Sequence, residues 1–436
     1  MSQAFRQYKF LELHFKLVNC LILGIIALHV FMHFPACLRL DSASMYADAV
    51  NLHYVDYWPP LTLLLWHFLN HIKEGADLML LLNFAMLWGA SLIGHKLFKE
   101  KKIAYWFIAI PFVPAIFLDS GEILKDTIFS FGYLFICMVL AYKTLKDQKL
   151  RLWHTVLILA GVFYYSMVKI QAQFIFPFMI AWLVLLQPRS FVKNSTDFIS
   201  KFLLFIGLVF GISFGMNQCN NALVEKKNDK HYWQYVKIYD LAGMSVFAQK
   251  MYVPDFLLKN PNITVKDIEN HYDYLWEPLI RYDHSPLIST RNEQDRENLL
   301  GTWKKCVKQD PISYLKHRFR LWFKIMVGSA AKGAYITWAD SSPTLLRFAP
   351  IFSIFAFMPL FPIFLYFWWL GLRRFKKDNH AIPLFMLSSM GLSLIFVLFV
   401  CSLASAARYI YFSWCCFMFA IPFAYITWIN LKNNKK

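Results

Sequence analysis

A series of ten apolar stretches constrains this chain most strongly, because a helix needs roughly 20 apolar residues to cross the hydrocarbon of a membrane. They lie near residues 15–36, 77–94, 103–119, 127–142, 155–169, 172–187, 202–217, 349–371, 381–401 and 412–430. A chain of 436 residues that is 58% hydrophobic is also too apolar for one soluble core. The sequence therefore predicts an all-α polytopic membrane protein with ten transmembrane helices.

The lysines and arginines are divided unequally between the two sides that alternating helices would create. Both termini and the loops 95–102, 143–154, 188–201 and 372–380 hold 21 of them, against five in or beside the short loops opposite. The positive-inside rule places the side with more cations in the cytoplasm. We therefore expect both termini to be cytoplasmic. The net charge of +18 follows this topology and predicts no nucleic-acid partner.

One long segment separates the first seven apolar stretches from the last three. Residues 218–348 have mixed charge, many aromatic residues and turn signals such as Asn260-Pro261, and they predict a mostly helical extracytoplasmic domain. The expected organisation is thus an N-terminal transmembrane module at 1–217, this domain at 218–348, and a C-terminal transmembrane module at 349–436. Spacing alone leaves a Cys219–Cys306 disulfide open.

Asp310 and Pro311 predict the start of an amphipathic helix, as its N-cap and first helical residue. Two stripes follow at helical spacing, an apolar one of Ile312, Leu315, Phe319, Trp322 and Met326, and a basic one of Lys316, Arg320 and Lys324. Two interpretations are open. The helix lies on an anionic membrane surface, or it packs on its own domain.

The first outward loop carries acids beside the membrane. The stretch C-L-R-L-D-S-A-S-M-Y-A-D-A contains Arg39, Asp41 and Asp48, and W-P-P-L then leads into an interface helix from Leu61 to Ile72. Carboxylates beside a bilayer cost free energy unless they are solvated or paired. This loop is therefore a candidate functional site.

The later outward connections each add a cation, in D-S-G-E-I-L-K-D, K-I-Q-A-Q and S-L-A-S-A-A-R-Y. In chain order they contribute Glu122, Lys125, Asp126, Lys169, Arg408 and Tyr409. Each has a simpler interpretation as well. The first is a solvated turn in which Asp126 caps a helix, Lys169 extends to lipid headgroups, and Arg408 pairs with a protein carboxylate instead of a ligand phosphate.

Carboxylates beside phosphate-binding cations at a membrane surface suit group transfer from a lipid-linked phosphate. A carboxylate removes the proton of an acceptor hydroxyl, and the cations stabilise the departing phosphate. Sugar transfer from a polyprenyl-phosphate lipid fits this description. Two other functions are open, an O-antigen-type polymerase or ligase and a transporter or flippase for a lipid-linked sugar. A transporter should place charges near the bilayer midplane and often has two related halves.

The order of one helix, the acidic loop, W-P-P-L and an interface helix resembles the GT-C membrane glycosyltransferases of the protein O-mannosyltransferase and lipid A aminoarabinose transferase type. The resemblance covers roughly residues 15–190 and is positional beyond them. The pairs Lys125-Asp126 and Arg408-Tyr409 also look like features of that family. The chain departs from the family at Ser42, where a second acid is usual.

The resemblance implies a GT-C-like fold and an inverting glycosyltransferase that faces the periplasm from a bacterial inner membrane. Its donor would be a polyprenyl-phosphate sugar, its acceptor a lipid, glycan or protein, and membrane lipids would surround it. Asp41 is the expected general base, with Asp48 as second choice. The expected phosphate-binding residues are Lys125, Arg408, Lys169 and Arg39, supported by Asp126, Glu122, Tyr46 and Tyr409.

No cofactor is indicated by this chemistry, and the role of a divalent metal is open. Two histidine pairs have i, i+4 spacing, His29 with His33 and His67 with His71. Neither belongs to an H-E-x-x-H motif, so the sequence favours other roles for them.

Overall fold

The computed structural model describes residues 3–36, 38, 40–146, 148, 150–186, 195–225, 231–327 and 357–433, and most of them are helical. These residues form 18 α-helices and several 3₁₀ turns, and they contain no strand. The all-α prediction is therefore confirmed for this part of the chain.

The first nine helices are joined by short connections. They are α1 (Gln3–His33), α2 (Leu40–Val50), α3 (Pro60–Ile72), α4 (Asp77–Leu97), α5 (Ala104–Ala109), α6 (Pro114–Ser120), α7 (Lys125–Leu145), α8 (Leu152–Val168) and α9 (Phe176–Leu185). Pro60 is the first residue of α3, a position where a proline sacrifices no helical hydrogen bond. Helix α3 buries Leu63 and Trp66 and exposes Leu64 and Phe68, so apolar side chains lie on both its buried and its exposed side.

The second half of the chain contains the other nine helices. They are α10 (Ser195–Leu223), α11 (Trp233–Ala248), α12 (Val265–His271), α13 (Glu277–Ile280), α14 (Glu293–Gln309), α15 (Pro311–Val327), α16 (Phe361–Arg374), α17 (Ala381–Cys401) and α18 (Tyr411–Asn433).

Five of the described helices are long and apolar enough to cross a membrane. They comprise Asp77–Leu97, Lys125–Leu145, Thr196–Leu223, Ala381–Cys401 and Arg408–Asn433. Three shorter apolar segments accompany them. They are Val18–His33, which is the second part of α1, and the helices α8 (Leu152–Val168) and α9 (Phe176–Leu185). These lengths and compositions are those of a helical membrane protein. The larger count of ten spans stays a prediction, and residues 349–356 of the eighth predicted span lie outside the described residues.

The predicted span at 103–119 is not one continuous helix. Pro111 and Pro114 divide it into α5, a 3₁₀ turn at Ile110–Phe112, and α6. A proline has no backbone N–H to donate and clashes with the preceding turn, so two of them three residues apart interrupt the helical ladder. The apolar composition therefore did not predict the break between α5 and α6.

Helices α16 and α17 approach so closely that a glycine is needed between them. A Cβ placed on Gly371 would lie 2.8 Å from the backbone nitrogen of Phe385. Because that neighbour is backbone, it cannot move aside as a side chain could. The close contact sets the distance between α16 and α17.

Residues 231–327, which we call the helical domain, have a hydrophobic core of their own around Tyr239, Leu241 and Leu299. Beside this core lies a fully buried ion pair, with Arg318 Nη2 2.5 Å from Asp240 Oδ1. Burial raises the pKa of Asp240, but the contacts with Arg318 and His317 together outweigh it, and the pKa of this carboxyl lies below its ordinary value. Trp303 Nε1 also donates to Asp240 at 2.8 Å.

Helix α15 starts as predicted, since Asp310 Oδ1 accepts a hydrogen bond from Ser313 N at 3.0 Å. Its buried face is not the apolar stripe, however. Ile312, Leu315 and Phe319 are exposed, whereas His317 and Arg318 are fully buried because they pair with Asp240. The helix therefore packs on its own domain through His317, Arg318 and Leu321, whereas Ile325 and Met326, the latter from the predicted apolar stripe, are buried in the core of the other helices.

The two cysteines considered for a disulfide are both free thiols. Cys306 is buried in the core of the helical domain, and Cys219 lies near the end of α10. The disulfide that spacing left open is absent from the structure.

The buried ion pair gives a prediction for stability. Asp240→Ala should lower the free energy of unfolding by about 3–5 kcal/mol, because it leaves the Arg318 guanidinium buried without its counter-ion. Glu293 forms an exposed pair with Arg296 in the same domain and serves as the matched control, since Glu293→Ala should have little effect. Thermal unfolding of both variants in detergent measures the difference, and equal stabilities would contradict a structural role for the pair.

Candidate functional site

Two of the predicted site residues, far apart in sequence, form an ion pair at one end of the helical bundle. Asp41 lies in the first turn of α2, and Arg408 lies in a 3₁₀ turn, Ala407–Ile410, directly before α18. The guanidinium donates to Asp41 Oδ2. About one third of each side chain is exposed, with 34% for Asp41 and 33% for Arg408. The pair is therefore accessible from outside the bundle.

A second, deeper ion pair extends this contact. Lys169, at the end of α8, donates to Asp126 at the start of α7, and their side chains are 9% and 8% exposed. Arg408 Nε lies 4.0 Å from the other carboxylate oxygen of Asp126. Arg408 thus stands between two carboxylates. The interpretation that Lys169 extends to lipid headgroups is wrong, because its ammonium group points to a buried carboxylate.

The turn between α6 and α7 holds Asp126 in this position. Asp126 is the second residue of α7 rather than its cap. The cap is supplied by the Thr127 hydroxyl, which accepts from Leu124 N at 3.1 Å and donates to the carbonyl of Glu122 at 2.9 Å. Glu122 itself is buried in this turn. The predicted solvated turn capped by Asp126 is therefore wrong, and the Asp126 carboxylate is left for Lys169 and Arg408.

Lys125 is held by aromatic groups instead of a carboxylate. Its Nζ donates to the backbone carbonyl of Tyr57 at 3.2 Å and lies 4.1 Å from the centre of the Tyr57 ring and 4.7 Å from that of Trp58. Aromatic faces attract a cation without cancelling its charge. Among the residues that the structure describes, no carboxylate lies within ion-pair distance of Lys125. The site therefore contains a positive charge that the protein does not neutralise by direct contact.

Tyr57 connects this lysine to the rest of the site. Burial raises the pKa of the Tyr57 phenol, and the nearby carboxylate of Asp41 raises it further. The Tyr57 ring lies 4.7 Å from that of Tyr232, which begins the helical domain. Burial and the carboxylate of Asp56 raise the pKa of Tyr232 to about 12. Both phenols thus stay protonated and available as hydrogen-bond donors at neutral pH.

The helical domain contributes one further carboxylate, Glu277 at the start of α13. Its charge interacts with those of Asp41 and Arg408, and it also affects Tyr409. The neighbouring segment is fixed to the connection before α18, where Ser405 N donates to the carbonyl of Tyr274 at 3.0 Å. Sequence reasoning missed both Glu277 and Tyr57. The W-P-P sequence directly after Tyr57 was a signal for the tyrosine, but nothing distinguished Glu277 from other acids of the domain.

Two predicted residues, Asp48 and Tyr46, are not brought into this cluster. Asp48 lies about 10 Å along α2 from Asp41 by helical rise and pairs with His53 at 3.1 Å. The hydroxyl of Tyr46 donates to Asn70 Oδ1 at 2.9 Å, and so ties α2 to α3. Arg39 lies outside the described residues. Tyr409, in contrast, is next to the cluster, with the centre of its ring 5.6 Å from Lys169 Nζ.

The histidine pairs make other contacts. His29 accepts a hydrogen bond from Trp88 Nε1 at 3.1 Å, and the Nδ1 atoms of His67 and His71 lie 3.0 Å and 2.9 Å from backbone carbonyl oxygens. Within the described part of the chain, no group of three or more histidine, cysteine or acidic side chains is arranged to hold a metal ion.

Comparison with known proteins does not extend this description. No protein-family model matches the chain, and no curated protein or solved structure matches it.

The Lys169–Asp126 pair gives a second prediction for stability. Lys169→Gln should lower the free energy of unfolding by about 3 kcal/mol, at the low end for a broken buried pair, because Arg408 remains 4.0 Å from Asp126. Adding Asp126→Asn to Lys169→Gln should restore part of this loss, because the double variant no longer buries a carboxylate that has lost its lysine.

A lysine at the same end of the bundle provides the control. Lys73 pairs with Asp77 but is 54% exposed, so Lys73→Gln should change stability little. Thermal unfolding in detergent compares the variants. A double variant less stable than Lys169→Gln alone would contradict the pairing.

Proposed function

We propose that this protein is an integral-membrane glycosyltransferase of GT-C type that transfers a sugar from a polyprenyl-phosphate lipid to a lipid, glycan or protein acceptor. The site would face the periplasm from a bacterial inner membrane, with both termini in the cytoplasm. The element order of the first 190 residues, which resembles that class, supports the proposal. The stronger support comes from the charges of the site.

Two groups at the site suit a phosphate. Lys125 carries a charge that no described carboxylate neutralises by direct contact, and Arg408 Nε is buried without a hydrogen-bond partner among the described residues. A buried N–H donor without a partner costs free energy, which an anionic ligand would recover. Because both groups lie at one end of apolar helices, an anion on a lipid would reach them from the membrane surface.

The proposed reaction develops negative charge where these cations lie. When the bond between the sugar and the phosphate breaks, the phosphodiester becomes a phosphomonoester with one more negative charge. Cations already fixed in position stabilise that added charge in the transition state without further reorganisation. A carboxylate of the site receives the proton of the acceptor hydroxyl, and the resemblance to the GT-C class nominates Asp41 for this role.

The positions of the charges favour this reaction over transport. In α4, α7, α17 and α18, every lysine, arginine and acidic residue lies in the first or last turn. A transport path for a charged headgroup would be expected to place charged groups near the bilayer midplane. The charged residues of these four helices are therefore placed to act at the membrane surface and do not line a path across the membrane.

The direct test uses the purified protein in lipid nanodiscs with a panel of synthetic polyprenyl-phosphate sugars that carry a radiolabel in the sugar. Transfer to envelope lipids or glycans, or slow transfer to water, would consume one of these donors and release polyprenyl phosphate. Failure to consume any donor of the panel, under conditions where the protein stays folded, would refute the proposal.

Lys125, which has no carboxylate partner among the described residues, provides the most direct test of phosphate binding. Lys125→Gln should weaken donor binding and lower kcat/KM for the donor by about tenfold to a hundredfold, as expected for the loss of a charge-assisted contact worth 1.5–3 kcal/mol. Lys73→Gln is the control, because Lys73 also lies near an aromatic ring but already has a carboxylate partner. Equal donor dependence in the two variants would exclude a phosphate role for Lys125.

A further inference from the structure

We infer that Glu277 of the helical domain is the general base of this transfer, and that Asp41 is a positioning residue that holds Arg408. This inference rests on the proposed function and deepens it. It assigns a catalytic role to a residue outside the transmembrane part. The sequence, by contrast, nominates Asp41.

The structure fixes Glu277 beside the site through backbone contacts. The segment before it pairs with the connection between α17 and α18, through the 3.0 Å hydrogen bond from Ser405 N to the carbonyl of Tyr274 and a bridge between Leu275 and Ala404. Arg318 adds a 2.7 Å hydrogen bond to the carbonyl of Ser402. The position of Glu277 is therefore set by the same connection that carries Arg408.

One oxygen of Glu277 is ready to accept a proton. Its Oε2 is buried and has no hydrogen-bond partner among the described residues. A buried acceptor without a donor costs free energy, and native structures retain one where a ligand or a reaction uses it. The hydroxyl group of an acceptor entering between the helical domain and Arg408 would supply the missing donor.

The other carboxylates of the cluster have their oxygens directed at cations. Asp41 Oδ2 receives the hydrogen bond from Arg408, and Asp126 has Lys169 on one oxygen and Arg408 near the other. A carboxylate in such a pair orients its cation, and protonation would weaken the pair. Glu277 has no ion pair of this kind among the described residues, so it can receive a proton without releasing a phosphate-binding cation.

The charges around Glu277 act in both directions. Burial raises its pKa above the ordinary value of a glutamate, and Asp41 raises it further. A hydrogen bond within its own residue, Arg281 directly after α13, and Arg408 of the opposite connection lower it. The balance is a raised pKa, and a base whose pKa lies nearer to neutral pH accepts a proton more effectively.

In the proposed step, Glu277 takes the proton of the acceptor hydroxyl while the sugar is transferred. The acceptor oxygen gives its proton to Glu277 Oε2 and uses the freed electron pair to form a bond to the anomeric carbon. The bond between that carbon and the phosphate oxygen breaks, and its electrons leave with the polyprenyl phosphate. The phosphodiester anion becomes a dianion as the Glu277 carboxylate becomes neutral, so total charge is conserved.

Azide distinguishes the base from a positioning residue. Azide is already an anion and attacks the anomeric carbon without losing a proton, so it can replace an acceptor when the general base is missing. The experiment measures consumption of the donor that the wild type uses, in nanodiscs, for Glu277→Ala, Glu277→Gln and Asp41→Ala. Glu269→Ala, an exposed glutamate of the same domain paired with Lys266, is the control.

We expect both Glu277 variants to lose at least about a hundredfold in kcat, the size of a general-base contribution, with donor binding retained. Sodium azide should restore donor consumption in Glu277→Ala and yield the glycosyl azide. Asp41→Ala should bind donor less tightly and should not respond to azide, because Arg408 has lost its orientation. Glu269→Ala should behave like the wild type.

The pH profile gives an independent readout. In the wild type, kcat/KM should fall as the pH falls through the raised pKa of Glu277, because the protonated acid cannot accept a proton. This acidic limb should be absent from the azide reaction of Glu277→Ala.

Retained kcat in Glu277→Gln, no azide rescue of Glu277→Ala, or azide rescue of Asp41→Ala would each overturn the inference while leaving the proposed function intact. A wild type that consumes no polyprenyl-phosphate sugar would instead refute the proposed function and the inference with it.

Discussion

The placement of Arg408 between Asp41 and Asp126 is the interaction on which the rest of the site depends. Removing a guanidinium from water costs several kcal/mol unless opposite charges replace the lost hydration. Here those charges come from the start of α2 and the start of α7, so the requirement to neutralise one arginine brings three distant parts of the chain to a common point. Because the cation is held before any ligand arrives, it need not reorganise when a phosphate binds or departs.

The two lysines of the site show how neighbouring cations take different roles. Lys169 neutralises the buried Asp126, so its charge stabilises the fold. Lys125, one residue before that same aspartate, projects toward the rings of Tyr57 and Trp58 and keeps its charge available. Successive residues of a helix point about 100° apart, so adjacent positions can serve the core and the site separately. The W-P-P-L sequence supports this arrangement because it fixes the two aromatic residues immediately before α3.

Local rules predicted much of the fold, whereas the site depended on contacts between distant residues. Apolar length predicted helices such as α4 and α17, and proline or aspartate at a first turn predicted the starts of α3 and α15. These signals lie within one stretch of sequence. Asp41 pairs with Arg408, 367 positions away, and Arg318 is buried through contacts with Asp240 on α11 and Ser402 after α17. Hydrophobic periodicity within one stretch does not indicate which distant residues will pair. Glu277 was missed for the same reason.

The helical domain and the membrane site are mechanically connected through one buried charge. Arg318 pairs with Asp240 inside the domain and also donates to the carbonyl of Ser402, at the end of α17. Six residues further on is Arg408. An arginine that has three donor nitrogens can satisfy a carboxylate and a carbonyl together, so the stability of the domain and the geometry of the last connection are set by the same side chain. A carboxylate presented by the domain is consequently held in a fixed position relative to Arg408, and fixed relative positions are what acid–base chemistry between two groups requires.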